Sequence, residues 1–107
     1  MSLKDIQNET DEWVRGFTTS YWTPHEIAVR LAEETGEVAR EVNHLYGPKK
    51  KKLEEPDNNL GNELADVLFT VVCMANREGI DLQKAWDEMM SKKHYGRDAD
   101  RFEKRRD

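Results

Sequence analysis

Ile27-Ala-Val-Arg-Leu-Ala-Glu33-Glu34-Thr-Gly-Glu37-Val-Ala-Arg-Glu41 and Asn59-Leu-Gly-Asn-Glu63-Leu-Ala-Asp66-Val-Leu-Phe69 are the two segments around which this chain is organised. Glu34 and Glu37 are three residues apart, and so are Glu63 and Asp66. On a helix that spacing puts both side chains on one face, about 60° apart around the axis. Two such pairs on neighbouring helices would make an all-oxygen cage of the kind that hard cations such as Mg²⁺ prefer.

Position adds to spacing. Ile27, Leu31, Val38, Val42 and Leu45 fall on one helical stripe. Glu34 lies in the middle of that stripe, with Glu37 and Glu41 at its edge. A carboxylate on a core-facing stripe is costly unless it is paired or binds a metal. Arg30 precedes Glu34 by four residues, the weaker orientation for a helical ion pair, and is not expected to reach it well. Spacing alone leaves two readings open: a metal cage, or a solvated acidic face with Glu34 bound to a neighbour.

A chain of 107 residues is one domain or one subunit. Apolar and charged residues are each 36%, lean for a self-sufficient core but normal for a helical subunit. A net charge of −5 argues against general nucleic-acid binding. Cys73 sits in the apolar run Val67–Ala75, where a packed small hydrophobe is a better reading than a nucleophile. A lone cysteine offers no disulfide within the chain, and the run is too short for a membrane span. The charged, amphipathic N-terminal stretch does not resemble a signal peptide, so a cytoplasmic location is expected.

Leu3, Ile6, Thr10, Trp13, Val14 and Phe17 recur at helical spacing, which predicts a first helix over residues 3–17, capped by Ser2 with Asp5. Thr23, Pro24 and Glu26 form a capping box with proline at the first helical position, so a second helix starts there and stops at Gly47-Pro48. Residues 46–58, with four consecutive lysines, read as an exposed charged loop. Asn59 or Asp57 can cap a third helix, apolar almost all round from Val67 to Ala75 and ended by Gly79. Asp81 caps a fourth, with Leu82, Ala85, Trp86, Met89 and Met90 as its inner face. Residues 98–107 read as a frayed tail. The expectation is one all-α domain over 1–107, without strands, repeats or linkers, whose four-helix bundle is completed by oligomerisation.

The pattern Glu33-Glu34-Thr-Gly-Glu37, 25 intervening residues (38 to 62), then Glu63-x-x-Asp66 resembles the motif of the MazG family. The phrases Leu31–Val38 and Glu63–Phe69 resemble it too, and the likeness runs to about Arg97. That family comprises all-α nucleoside triphosphate pyrophosphohydrolases, with relatives among the dimeric dUTPases, dCTPases and phosphoribosyl-ATP pyrophosphohydrolases. The resemblance implies Mg²⁺-dependent cleavage between the α and β phosphates, with Mn²⁺ as a substitute ion, to give a nucleoside monophosphate and pyrophosphate. It implies Glu34, Glu37, Glu63 and Asp66 as metal ligands, and Glu33 as a further ligand or the residue that orients the attacking water.

Lys93 and Arg97 lie at places similar to the family's basic positions, although Gly96 interrupts the spacing. They are candidates for the phosphates, against the plainer reading of solubilising tail charges. Trp22 and His25 are candidates for the base, against a loop aromatic and an exposed helix-start histidine. The expected partners are a nucleoside triphosphate and further copies of the chain, as a dimer or tetramer, with no membrane and no nucleic-acid polymer. The rivals are a phosphoribosyl-ATP or dCTP/dUTP-type enzyme, and, from another class, a non-catalytic helical oligomerisation module with a cation site.

Overall fold

The computed structural model describes residues 1–48 and 59–105. Four α-helices follow in order: α1 (Leu3–Val14), α2 (Pro24–Tyr46), α3 (Leu60–Arg77) and α4 (Leu82–Met89). A π-helical extension, Met90–Arg97, continues α4. No strand occurs among the described residues. Most of the loop expected over 46–58 lies outside them, as do Arg106 and Asp107.

The helix starts follow the local chemistry of the sequence. Ser2 Oγ accepts from the Asp5 amide at 3.1 Å, and Asp5 accepts from the Ser2 amide at 2.9 Å. Thr23 and Glu26 exchange the same two bonds, at 3.3 and 3.1 Å. Asn59 accepts from Asn62 at 2.8 Å and Asp81 from Lys84 at 3.1 Å. Each cap satisfies amide donors that the first turn leaves without a partner.

Two glycines explain two stops. A Cβ on Gly47 would lie 2.6 Å from the Asn43 carbonyl oxygen, so only glycine closes α2 this tightly. Gly79 takes φ +68°, and the Ile80 amide reaches back to the Ala75 carbonyl at 2.8 Å.

Two expectations need correction. α1 ends at Val14 rather than Phe17, because the Gly16 and Phe17 amides bond the carbonyls three residues back, at 3.2 Å each, and tighten the last turn. Phe17 still serves the helix through an edge-on contact with Trp13, with ring centroids 4.8 Å apart. The face of α4 is not wholly inward: Leu82, Met89 and Met90 are half-buried, while Ala85 and Trp86 are exposed. The single chain leaves part of the apolar circumference of α3 uncovered. Val72 and Ala75 are buried, but Leu64, Leu68 and Phe69 are open to solvent in the single chain.

α2 packs along α3, and α1 lies across α3 and α4. A polar latch fixes α1. Gln7 Nε2 donates to Asn76 Oδ1 at 2.9 Å and to the Ile80 carbonyl at 2.8 Å, and the Leu82 amide donates to Gln7 Oε1 at 2.9 Å. Asn76 Nδ2 donates to the Gln7 carbonyl and to Tyr21 Oη, both at 3.0 Å. Tyr21 Oη donates to Asp11 at 2.6 Å. The latch ties the loop before α2 to α1 and α3, and so places Trp22 beside the α2–α3 pair. Burial, and the ionised Asp11 beside it, push the Tyr21 phenol up to about 12, so it stays protonated and keeps donating. No helix among the described residues is long and apolar enough to cross a membrane.

Candidate metal centre and substrate cavity

The pairing of α2 with α3 brings Glu34, Glu63 and Asp66 together. One carboxylate oxygen from each lies within 4.8 Å of the others. Glu34 and Glu63 are 5% and 4% exposed, while Asp66 faces solvent. Burial pushes the Glu63 carboxyl above its ordinary range, and the charges of Asp66, Glu37, Glu34 and Glu41 push it the same way. Glu37 therefore adds its field to the cluster from just outside the close triplet, on the exposed side of α2.

Arg30 behaves differently from its expected role. Its Nη2 lies 2.9 Å from Glu34 and its Nη1 3.3 Å from Glu33. The long arginine stem curls along α2 in spite of the unfavourable order, because Glu34 is buried and a guanidinium at its edge offsets part of the desolvation cost. Glu33 itself is exposed.

Beside the carboxylates is a cavity of about 350 Å³. Trp13, Trp22, Ile27 and Phe69 form much of its apolar wall, and Arg30, Glu34 and Asp66 its polar end. A more open groove of about 400 Å³ continues outward past Trp22, His25, Arg30 and Glu33. Trp22 and Arg30 line both spaces. Trp13 is engaged edge-on with Phe17 and with Phe69, the latter at 5.9 Å between centroids. Cys73 also lines the cavity, and burial pushes its thiol up, which keeps it un-ionised and inert.

Lys93 and Arg97 are on the π-helical extension of α4, and they line neither space. Arg97 bonds its neighbour Asp98 at 3.3 Å. Asp98 also accepts from Arg101 at 3.1 Å, and these cations hold its carboxyl below the usual range.

Sequence reasoning passed over three contributors. Glu41 is buried at 7% and acts on Glu63; its spacing four residues after Glu37 was the available signal. Tyr21 and Phe69 line the cavity, and only the packing of α1 against α3 reveals that.

The chain as a whole is similar to known proteins. Residues 22–102 match the model of the MazG nucleotide pyrophosphohydrolase domain. The chain belongs to the MazG family. It is accordingly a hydrolase of the nucleotide pyrophosphohydrolase class. Over 101 residues, 94% of this chain and 90% of the relative, it is 46% identical to YpjD of Bacillus subtilis (strain 168). The crystal structure of YpjD, a proposed pyrophosphatase, resembles it with a TM-score of 0.77 over 88% of this chain and 96% of that one. A Bacillus-conserved MazG protein described as a nucleotide pyrophosphohydrolase is 41% identical, with a TM-score of 0.74 over 86% and 88% of the two chains. The all-helical MazG architecture expected from the sequence is thus the one observed.

Proposed function

We propose that this MazG protein hydrolyses a nucleoside triphosphate between its α and β phosphates, with Mg²⁺ held by Glu34, Glu63 and Asp66 and joined by Glu37. The convergence of three carboxylates within 4.8 Å beside an apolar aromatic cavity carries the reading. The donor set fits the ion: all are oxygens, two are buried, and burial together with the neighbouring carboxylates raises Glu63, a strain that a divalent cation relieves. When bound, the ion supplies neutralisation of phosphate oxygens and a more acidic water.

The chain's own groups do the rest. Glu33, exposed at the rim of the outer groove, orients the attacking water and takes its proton. The water oxygen bonds to the α phosphorus, the bond from that phosphorus to the bridging oxygen breaks, and pyrophosphate leaves. Trp22 stacks on the base and His25 contacts it from the outer groove. Lys93 and Arg97 contribute to the phosphates only where assembly with another copy carries the extension over a site. We place the enzyme in the cytoplasm, as a dimer or larger oligomer, clearing surplus or non-standard nucleotides.

Incubation with Mg²⁺ and a panel of ribo- and deoxyribonucleoside triphosphates tests the reaction. Pyrophosphate and monophosphate are the expected products. Orthophosphate with a diphosphate would refute α–β cleavage. No turnover of any panel member, phosphoribosyl-ATP included, would favour the oligomerisation module.

A further inference from the structure

Arg30 stands beside the acidic cluster, where the inner cavity and the outer groove share a wall. It lines both the inner cavity and the outer groove, and it is the one lysine or arginine among the described residues lining either space. Its guanidinium bonds Glu34 at 2.9 Å and Glu33 at 3.3 Å, yet its side chain is 50% exposed. A guanidinium has five N–H donors. Two nitrogens are turned to the carboxylates, which leaves donors over on a half-exposed side chain. A divalent cation and a guanidinium compete for the same Glu34 oxygens, since both neutralise one buried charge. Displaced from Glu34, an exposed arginine keeps its stem on α2 and presents a planar fork to whatever anion enters the groove.

We propose that Arg30 is an exchangeable counter-ion. It holds Glu34 and Glu33 while the metal centre is empty of cation. Once a divalent cation takes over Glu34, Arg30 turns to the polyphosphate and positions it. This rests on the metal reading above, and it assigns the phosphate contact within one chain to Arg30 rather than to Lys93 or Arg97.

Calorimetric titration of the full chain tests both halves, using Mg²⁺ alone and then inorganic tripolyphosphate at saturating Mg²⁺. Arg30→Gln should bind Mg²⁺ about three- to tenfold more tightly, because a competing cation is gone. It should bind tripolyphosphate about ten- to a hundredfold more weakly, the range for losing a charge-assisted contact. Arg30→Lys should recover part of the tripolyphosphate affinity, as a point charge without the fork. Opposite signs for the two ligands are what a merely structural arginine would not give. Weakening of both ligands alike in Arg30→Gln and Arg30→Lys would overturn the inference, and so would unchanged tripolyphosphate affinity while Mg²⁺ still binds. A wild-type chain that binds no Mg²⁺ would overturn the metal reading itself, and this inference with it.

Discussion

Trp22→Ala tests the aromatic proposed to stack on the base, apart from the fold. Three observations fix the expected size. Trp22 is 52% exposed, so its removal opens little core. It has no ring partner among the described residues, whereas Trp13 is held edge-on by Phe17 and Phe69. It lines both the cavity and the groove. Stacking of a base on an aromatic side chain is worth about 1–3 kcal/mol by alanine substitution. With one ring face left wet, the lower half of that range applies, about 1–2 kcal/mol, or roughly five- to thirtyfold in affinity. The base is remote from the scissile phosphate bond, so this binding is the same in the ground and transition states. It should therefore appear in KM and leave kcat alone. Pyrophosphate release against substrate concentration measures both, and Trp22→Phe should lose less than Trp22→Ala because a ring remains. A KM within twofold of wild type in Trp22→Ala, with normal helicity, would refute the stacking role. A fall in kcat with KM unchanged would place Trp22 at the reacting phosphates instead.

Other outcomes follow from the same geometry. Glu63→Gln and Asp66→Asn should each abolish pyrophosphate release while retaining helical circular dichroism; in EDTA, Glu63→Gln should melt above wild type through relief of like-charge repulsion, and its Tm should no longer rise with Mg²⁺. The Tyr21 and Arg15 hydrogen bonds hold the Asp11 carboxyl below its ordinary range, so its contribution is present above the unfolded-state value and lost as pH falls through the folded one. The stability advantage of wild type over Asp11→Asn, measured by urea unfolding, should hold at pH 7 and shrink below about pH 4, whereas a pH-independent difference would count against the latch. The unfolding midpoint should rise with protein concentration, and Val71→Asp should give unfolded or aggregated chain; sedimentation equilibrium showing a folded, active monomer at micromolar concentration would sink the assembly proposal.

The helix starts were legible because each rests on local chemistry. A Ser, Thr, Asn or Asp cap acts on an amide two or three residues away, and no tertiary contact is needed to recognise it. The acidic pairs were legible for the same reason: helical period alone puts Glu63 and Asp66 on one face, and the packing of α2 on α3 supplies only the third partner, Glu34. What was not legible depends on long-range contact or on competing turns. Arg30 reaching Glu34 against the weaker orientation depends on how buried Glu34 becomes, a property of the α2–α3 packing. The Tyr21–Asn76–Gln7 latch joins positions 55 and 69 residues apart through one or two hydrogen bonds each, and no periodicity marks them. The wide coil of Met90–Arg97 closes with an Asp98 amide bonded to the Lys93 carbonyl, a five-residue step that a 3.6-residue pattern does not describe.

The distribution of apolar surface supports the proposed assembly of the chain with further copies. The described residues bury few apolar side chains: Val14, Ile27, Val72 and Ala75. Leu68 and Leu64 on α3, Val42 and Leu45 on the C-terminal half of α2, and Trp86 on α4 are all more than 40% exposed. The radius of gyration is 17.6 Å, against roughly 13 Å for a compact domain of this length. Scattered exposed hydrophobes are ordinary on any protein. Here they instead continue the same stripes that form the core, since Val42 and Leu45 extend the line of Ile27, Leu31 and Val38. A stripe that is core at one end and bare at the other is half of an interface. The economical complement is the same stripe on a second copy about a two-fold axis, because a closed symmetric pair covers both bare ends at once. Such an interface would resemble a domain core cut in two. It would also stiffen the α2–α3 pair that carries Glu34, Glu63 and Asp66. On this reasoning the carboxylate cluster is held at close quarters by helices whose packing is completed only in the assembly, so that loss of assembly and loss of metal binding should occur together.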